Sequence, residues 1–238
     1  MSKVYHGKSV AEQNSVNRAW AMLMEKQYGA LRKAICDTQE DEIRFRQLVV
    51  NTVMSTDIMD RDLKRLRDER WHVAFASDGR RDGECDRFRV NRKATIVIEH
   101  LILASDVAHT MQHWHIYSKW NERLFNEMHN AYLDGRAEKD PADSWYEGEI
   151  SFFDCYIIPL AKKLSECGVF GVSSDEYLNY AMLNRNEWEK KGKSAVANYV
   201  TRLTNRKGRN GSMQLSATTS EPEDSGDSGG GVDKLVVG

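Results

Sequence analysis

The chain has 238 residues, of which 40% are hydrophobic and 29% are charged, and its formal net charge is −2 at pH 7. This length and apolar content suit one large domain, or a domain with a tail, around a sizeable core. Basic and acidic residues nearly balance, which excludes the global basic excess typical of nucleic-acid-binding proteins. We therefore expect no nucleic acid among its partners.

The cysteines and the N-terminal sequence indicate the compartment in which the protein is expected. The four cysteines show no CxxC spacing, so free cytosolic thiols fit better than a disulfide framework. The stretch MSKVYHGKSVAEQNS at the start has no apolar signal core, and no later segment has the length of a membrane span. We therefore expect a soluble, cytoplasmic protein without a transmembrane segment.

Capping signals predict helices in the first part of the chain. Ser9 is placed to cap a helix from Val10 to about Lys26. Thr38 precedes the acidic run Glu40–Glu42, a pattern typical of an N-cap and the first turn of a helix. That helix ends near Asp57, which follows an apolar face. From spacing alone, Asp57 fits a pocket acid and a solvated C-terminal carboxylate equally well.

The middle of the chain holds its most apolar stretch. Residues 60–70 predict a charge-laced helix with a solvated face, and residues 77–89, rich in Gly and Asp, predict an exposed loop. The run Ile96–Leu103 is then apolar on nearly every side, which predicts a buried helix. Glu99 and His100 interrupt it, and it is too short to span a membrane.

Asp106, His109 and His113 form the first candidate site. Their spacing puts one carboxylate and two imidazoles on a common face if the helix continues through them. Such a trio is one way to hold a metal ion. Two simpler interpretations stay open: Asp106 caps the next helix, and the histidines are ordinary surface or half-buried residues.

The sequence after Trp114 also predicts helices. A helical pattern follows Trp114, and Gly135–Gly148 predicts a loop. Glu149 then begins a helix with an aromatic face. Pro159 lies inside that helix, so we expect a kink or a restart there. Glu149 also fits a first-turn carboxylate that stabilises the helix dipole.

The last predicted helix leads into a tail. Ser173 and Glu176 have the spacing of a capping box, and the helix runs from Asp175 to about Lys191 or on to residue 206. From residue 207 to 238 the chain is rich in Gly, Ser, Thr, Asp and Glu, which predicts a disordered tail. Since strand-type alternation is absent, we expect an all-α, compact multi-helix domain over residues 1–206.

Several segments, taken in chain order, are similar to the motifs of one family. They are SVAEQNSVNRAWAML from Ser9, VMSTDIMD (Val53–Asp60), SDVAH (Ser105–His109), Tyr117 and Trp120 at Tyr-x-x-Trp spacing, EISFFDCYIIPL (Glu149–Leu160) and NRNEW ending at Trp188. Together they cover residues 5 to about 190. The chain thus resembles the C-terminal two-thirds of the class I 3',5'-cyclic-nucleotide phosphodiesterase catalytic domain, an all-helical fold.

The resemblance implies a role for each matched residue. Asp106 matches the aspartate that binds the catalytic metal directly, and Phe152 matches the phenylalanine that stacks on the purine. Glu12 matches an acid close to the metals, and Asp57 matches an acid of the pocket wall. His109 replaces the last Asn of the family's ADISN segment, at the rim of the pocket. In the family, zinc and magnesium ions share the site, and their bridging hydroxide hydrolyses the cyclic phosphate while a histidine protonates the leaving oxygen.

The chain departs from the family at the metal site. By the resemblance, two His and a His-Asp pair would come from a region N-terminal to residue 5, and the sequence contains no His-Asp dipeptide. Asp106 is then one direct ligand where four are needed, and a lone carboxylate does not hold a catalytic zinc. We expect a fuller protein to supply the others, so that the chain alone is inactive or nearly so. The alternative is a catalytically inactive helical module that binds a nucleotide or pairs with another subunit. A homodimer or an upstream regulatory domain is compatible with either.

Glu149 occupies the position of the family's purine-reading glutamine. An amide donates or accepts hydrogen bonds, whereas a carboxylate only accepts them. Guanine offers N1–H and its exocyclic amine as donors on one edge, while adenine presents an unprotonated N1. The substitution therefore predicts a preference for cGMP over cAMP.

Overall fold

The computed structural model describes residues 4–75, 85–168, 170–171 and 174–217. Within these ranges the chain forms helices joined by short turns, without a strand. The all-α prediction is therefore confirmed. The α-helices are α1 (Val10–Leu23), α2 (Gly29–Ile35), α3 (Gln39–Ser55), α4 (Arg61–Phe75), α5 (Asp86–Asp106), α6 (Trp114–Leu133), α7 (Trp145–Phe152), α8 (Ile158–Glu166) and α9 (Ser174–Ala217).

The capping prediction is confirmed at Thr38, whereas at Ser9 the predicted helix start is confirmed but the side-chain cap is absent. Thr38 Oγ1 accepts a hydrogen bond from the Asp41 amide at 3.1 Å, which satisfies a first-turn donor of α3. Ser9 has a left-handed backbone and makes no side-chain cap hydrogen bond. Its hydroxyl donates to Asp57 Oδ2 at 2.7 Å instead, which ties α1 to the end of α3. Helix α1 also ends earlier than predicted, at Leu23.

The buried face of α5 is partly polar. Glu99 and His100 are as deeply buried as Ile96 and Leu103, whereas Ile102 is 37% exposed. Helices α3, α4 and α8 cover α5, and they leave one side of it open. The prediction of a helix buried on nearly every side is therefore wrong. Ile102, within the apolar run, is exposed, and the polar residues Glu99 and His100 are buried.

The charged helix α4 is not only a solvated surface. Arg67 is 6% exposed, and Arg70 Nη2 lies 2.5 Å from Glu99 Oε1 on α5. The prediction that residues 60–70 serve only as a solvated face is wrong for these two arginines. The predicted loop over residues 77–89 is also shorter than expected, since α5 begins at Asp86. Its part from 77 to 84 lies outside the described residues.

The main core lies where α6, α7 and α8 pack against α9. Its largest fully buried rings are Tyr117, Phe125, Phe153 and Trp188. Gly192 permits a close approach in this core, because a Cβ there would lie 2.8 Å from ring atoms of Trp188 and Tyr146.

The helix that carries Glu149 begins earlier than predicted. Helix α7 starts at Trp145, and Pro141–Asp143 forms a 3₁₀ turn before it, so the predicted loop to Gly148 is wrong in its last part. One π-helical turn, Phe153–Ile157, then leads into α8. Pro159 lies in the first turn of α8, the part of a helix that best tolerates its missing N–H and fixed φ. The restart expected there is confirmed.

The last helix is longer than predicted, since α9 continues past residue 206 to Ala217. The capping box at Ser173 and residues 218–238 lie outside the described residues. The division into a domain and a disordered tail therefore stays a prediction. No helix in the described ranges is both long enough and apolar enough to cross a bilayer.

Candidate functional site

Asp106, His109 and His113 do not share a helical face. Asp106 is the last residue of α5, and His109 lies in a 3₁₀ turn, Ala108–Met111. His113 precedes α6, and its Nε2 lies 2.9 Å from the Tyr180 hydroxyl. The interpretation of the three as a metal site on a single helix is wrong, because the chain leaves the α-helical path directly after Asp106.

The described residues do not by themselves form a metal centre. The Asp106 side chain is exposed, and partial desolvation raises the pKa of its carboxyl. Within the described ranges, no group of three or more His, Cys, Asp or Glu could hold a metal ion. Asp106 alone does not fit the zinc and magnesium that the resemblance implies, since a zinc site takes at least three protein donors.

Glu149 ends a chain of hydrogen bonds that starts at Trp145. Trp145 Nε1 donates to Asn121 Oδ1 at 3.2 Å, and Asn121 Nδ2 donates to the Tyr117 hydroxyl at 3.4 Å. The Tyr117 hydroxyl then donates to Glu149 Oε2 at 2.7 Å. Indole and amide N–H groups are donors only, so the direction of every bond in the chain is fixed. Oε2 of Glu149 is thereby held as an acceptor.

Two opposing effects act on the charge of Glu149. Burial raises the pKa of the carboxyl, since it is 9% exposed, while hydrogen bonds from Tyr117 and Asn121 lower it. Burial also raises the pKa of Tyr117, so its hydroxyl keeps its proton and remains a donor. The hydrogen bonds stabilise the carboxylate form against desolvation.

Two ring pairs lie near the residues that surround Glu149. His109 lies parallel to Tyr117, with ring centroids 6.4 Å apart, and burial lowers the pKa of its imidazole. Phe152, at the end of α7, stacks on Tyr156 with centroids 5.3 Å apart and planes 13° apart. Burial raises the pKa of the Tyr156 hydroxyl to about 12, and the charge of Asp106 adds to this increase. Three candidate residues, Glu149, His109 and Phe152, therefore share one region.

A cavity of about 270 Å³ opens beside Glu149, between Trp145, Pro141 and Met128. Asp106 and Phe152 do not line it. A larger groove of about 1350 Å³ lies between α3 and the first half of α5, and none of the candidate residues lines it. The groove is therefore separate from the residues that carry the chemistry, and the small cavity touches one of them.

Glu12 and Asp57 belong to the corner between α1 and α3. Asp57 Oδ1 accepts hydrogen bonds from the Met59 and Asp60 amides, both at 3.1 Å, while Oδ2 accepts the Ser9 hydroxyl. These contacts close the turn after α3. The roles that the resemblance implies for Glu12 and Asp57 stay predictions.

Sequence reasoning missed three members of this region. Asn121 lies four residues after Tyr117, and Tyr156 lies four residues after Phe152. Residues four apart share a helical face, so each spacing was a usable signal. Trp145 carried no such signal because it fell in the predicted loop.

The sequence matches the model of a known protein family. The sequence model of the 3'5'-cyclic nucleotide phosphodiesterase family matches residues 1–169. No curated protein sequence matches the chain significantly.

Solved structures share the fold. The phosphodiesterase domain of the RhoPDE fusion protein from the choanoflagellate Salpingoeca rosetta aligns with a TM-score of 0.59 and 19% identity, over 84% of this chain and 61% of that one. A second structure, the phosphodiesterase domain of Salpingoeca rosetta rhodopsin phosphodiesterase, gives a TM-score of 0.58 and 20% identity, over 86% and 60%. The chain thus spans about three-fifths of these neighbours. With the family model matching most of its length, the chain belongs to the 3'5'-cyclic nucleotide phosphodiesterase family.

Proposed function

We propose that the chain takes part in the hydrolysis of 3',5'-cyclic nucleotides to 5'-monophosphates, as part of a fuller catalytic domain, and that it binds cGMP in preference to cAMP. The observation that carries the preference is the buried carboxyl of Glu149, held by the Tyr117 hydroxyl at 2.7 Å. Cytoplasmic location, a homodimer and an upstream regulatory domain stay predictions.

Glu149 has the hydrogen-bonding capacity that guanine requires. Its Oε2 accepts from Tyr117, and a carboxylate has further lone pairs for other donors. The N1–H and exocyclic amine of guanine are such donors, whereas adenine N1 has no proton to give. The series of hydrogen bonds from Trp145 through Asn121 fixes the direction of the Tyr117 bond, so Tyr117 does not require this carboxyl to be a donor.

Phe152 supplies a flat surface close to this carboxyl. The two residues are three positions apart, and one face of the Phe152 ring lies against Tyr156. A purine stacked on the other face would present its edge towards α7, in the manner that the family resemblance implies. Aromatic stacking then holds the base, and Glu149 selects it.

The divalent metals remain part of the proposal only through the family. Among the described residues Asp106 matches a ligand, and no cluster accompanies it. We therefore assign to this chain the recognition of the purine and one carboxylate of the metal site.

Calorimetry with the purified chain tests the proposal. We expect cGMP to bind more tightly than cAMP at pH 8, and we expect little or no 5'-GMP to form when Mg²⁺ and Zn²⁺ are added, measured by chromatography. Equal affinities for the two nucleotides would refute the preference. Rapid hydrolysis by residues 1–238 would show that the ligand count is wrong.

A second candidate is a catalytically inactive module that binds a nucleotide or pairs with another subunit. The isolated position of Asp106 favours it. Reconstitution separates the two: adding the missing ligand-bearing helices of a related phosphodiesterase should restore turnover in the first case. Binding that persists without turnover in the reconstituted protein favours the inactive module.

A further inference from the structure

Trp145 begins the series of hydrogen bonds that ends at Glu149, and the two residues lie on one face of α7. They are four positions apart, and both line the cavity of about 270 Å³. The indole ring of Trp145 packs edge-on against the buried ring of Phe125, with centroids 5.3 Å apart and planes 82° apart. This contact and the hydrogen bond to Asn121 hold the indole in place.

The indole N–H determines which end of the Asn121 amide faces Tyr117. The two ends of an amide have nearly the same shape, but the oxygen only accepts hydrogen bonds and the nitrogen only donates them. Trp145 Nε1 donates to Oδ1 at 3.2 Å, so Nδ2 faces the Tyr117 hydroxyl at 3.4 Å. Asn121 is 2% exposed, and a buried carbonyl or amide group without a partner is costly. Reversal of this amide is therefore unfavourable while the indole is present.

In this orientation the Asn121 amide and Tyr117 present donors to Glu149. The Tyr117 hydroxyl donates to Oε2 at 2.7 Å. Burial raises the pKa of the Glu149 carboxyl, and the hydrogen bonds from Tyr117 and Asn121 act against this increase. A reversed amide would instead present its oxygen, which would compete with Glu149 for the Tyr117 proton. It would also favour the neutral carboxyl, because a carbonyl oxygen repels a carboxylate and accepts a hydrogen bond from a carboxylic acid.

In the part of the chain that the structure describes, Glu149 forms no ion pair that would replace these donors. Tyr117 on α6 and Tyr199 on α9 are its titratable neighbours, and burial raises the pKa of both hydroxyls, that of Tyr199 to about 12. His109 lies parallel to Tyr117, and burial lowers the pKa of its imidazole, so all three are neutral at physiological pH. Lys139–Asp140, at the wall of the cavity, carries one charge of each sign. The hydrogen-bond donors therefore stabilise the ionised carboxyl.

We propose that Trp145 acts through Asn121 and Tyr117 to keep the Glu149 carboxyl a hydrogen-bond acceptor, and that it thereby determines which purine the site selects. A neutral carboxyl also has an O–H donor, which can meet the unprotonated N1 of adenine. The ionised form is therefore the one that favours guanine. Trp145 is a positioning residue, since it acts through two other side chains. The inference rests on the proposed function for the nucleotide, whereas the ionisation of Glu149 is measured without one.

The first experiment measures the ionisation of Glu149 in the ligand-free chain. Glutamate is labelled with a carbon isotope at its carboxyl, and the Glu149 signal, assigned with Glu149→Gln, is followed by NMR as the pH changes. Trp145→Phe removes the N–H and keeps an aromatic ring against Phe125. Trp20→Phe is the matched control, because Trp20 lies on α1 and its ring neighbour is Phe45. The melting temperature of each variant shows that it is folded.

At a given pH within the titration, the ratio of ionised to neutral Glu149 should fall about two- to tenfold in Trp145→Phe, as for one hydrogen bond of ordinary strength. Trp20→Phe should leave the ratio unchanged. Asn121→Leu should lower it at least as much as Trp145→Phe does. Adding Trp145→Phe to Asn121→Leu should have no further effect, because the indole acts through the amide. Additive effects would mean that the indole reaches Glu149 by another route, and they would overturn the inference.

Calorimetry with cGMP and cAMP then tests the link to specificity. At the pH where half of Glu149 is ionised in the wild type, the ratio of cGMP to cAMP affinity should fall in Trp145→Phe by the factor that NMR gives. An unchanged Glu149 titration in Trp145→Phe would overturn the inference and leave guanine recognition by Glu149 intact. Equal affinities of the wild type for both nucleotides at pH 8 would refute the proposed preference and the role of Trp145 in it. A shifted titration would still support the control of the Glu149 carboxyl by Trp145.

Discussion

Glu149→Gln should abolish most of the discrimination between cGMP and cAMP. The change keeps the shape of the side chain and the acceptor for the Tyr117 hydroxyl, which lies 2.7 Å from Oε2. It replaces the other carboxylate oxygen by an amide that either donates or accepts. Guanine N1–H then loses a charged acceptor, while adenine N1 gains a donor.

The size of the effect follows from one hydrogen bond. A bond to a charged group contributes about 1.5–3 kcal/mol, and each 1.4 kcal/mol is about tenfold in affinity. The ratio of cGMP to cAMP affinity should therefore fall about 10- to 150-fold in Glu149→Gln. Since burial raises the pKa of Glu149, we expect the full effect at pH 8 and a smaller one in acid.

Calorimetric titration of both nucleotides at pH 8 measures this ratio. Glu147→Gln is the matched control, because Glu147 is an exposed residue of the same helix. An unchanged ratio in Glu149→Gln would refute the reasoning. A parallel loss of both affinities would point to a packing defect and would equally count against it.

Three further predictions concern stability and are measured by urea unfolding. The folded-state pKa of Glu149 lies above its ordinary value of 4.5, so the wild type should lose stability relative to Glu149→Gln as the pH rises above 4.5. Below that pH the free energies of unfolding of the two proteins should differ by a constant amount, and a constant difference at all pH values would contradict the prediction. Arg70→Met leaves Glu99, whose side chain is 1% exposed, without its ion pair. The free energy of unfolding should fall by about 3 kcal/mol at pH 8, the lower end for a broken buried pair, because the arginine side chain is 40% exposed. A decrease below about 1 kcal/mol would show that the pair is solvated. Gly192→Ala should destabilise by about 1–2 kcal/mol, because overpacking against the buried ring of Trp188 and the half-buried ring of Tyr146 exceeds the gain in helix propensity. Gly148→Ala, with open space around its Cβ, should be neutral or stabilising, and equal effects of the two substitutions would argue against close packing at Gly192.

Local sequence determined the helices, several of their ends and the matched motif positions. The Thr38 cap depends only on a side chain and the amide three residues later, so it could be read from the sequence. The same is true of Pro159, whose fixed φ and missing N–H suit the first turn of a helix. The roles of Asp106, Glu149 and Phe152 were assigned through the family resemblance, and they stay predictions.

Tertiary structure decided which polar residues are buried and what they contact. Ser9 has the sequence of a cap, yet its hydroxyl donates to Asp57, 48 positions away. Glu99 looked like an interruption of an apolar face, and Arg67 looked like one of many exposed charges. Their burial results from the packing of α4, α5 and α8. Periodicity gives the faces of a helix, but it does not tell which face meets a neighbour or which charge on that neighbour compensates a buried one.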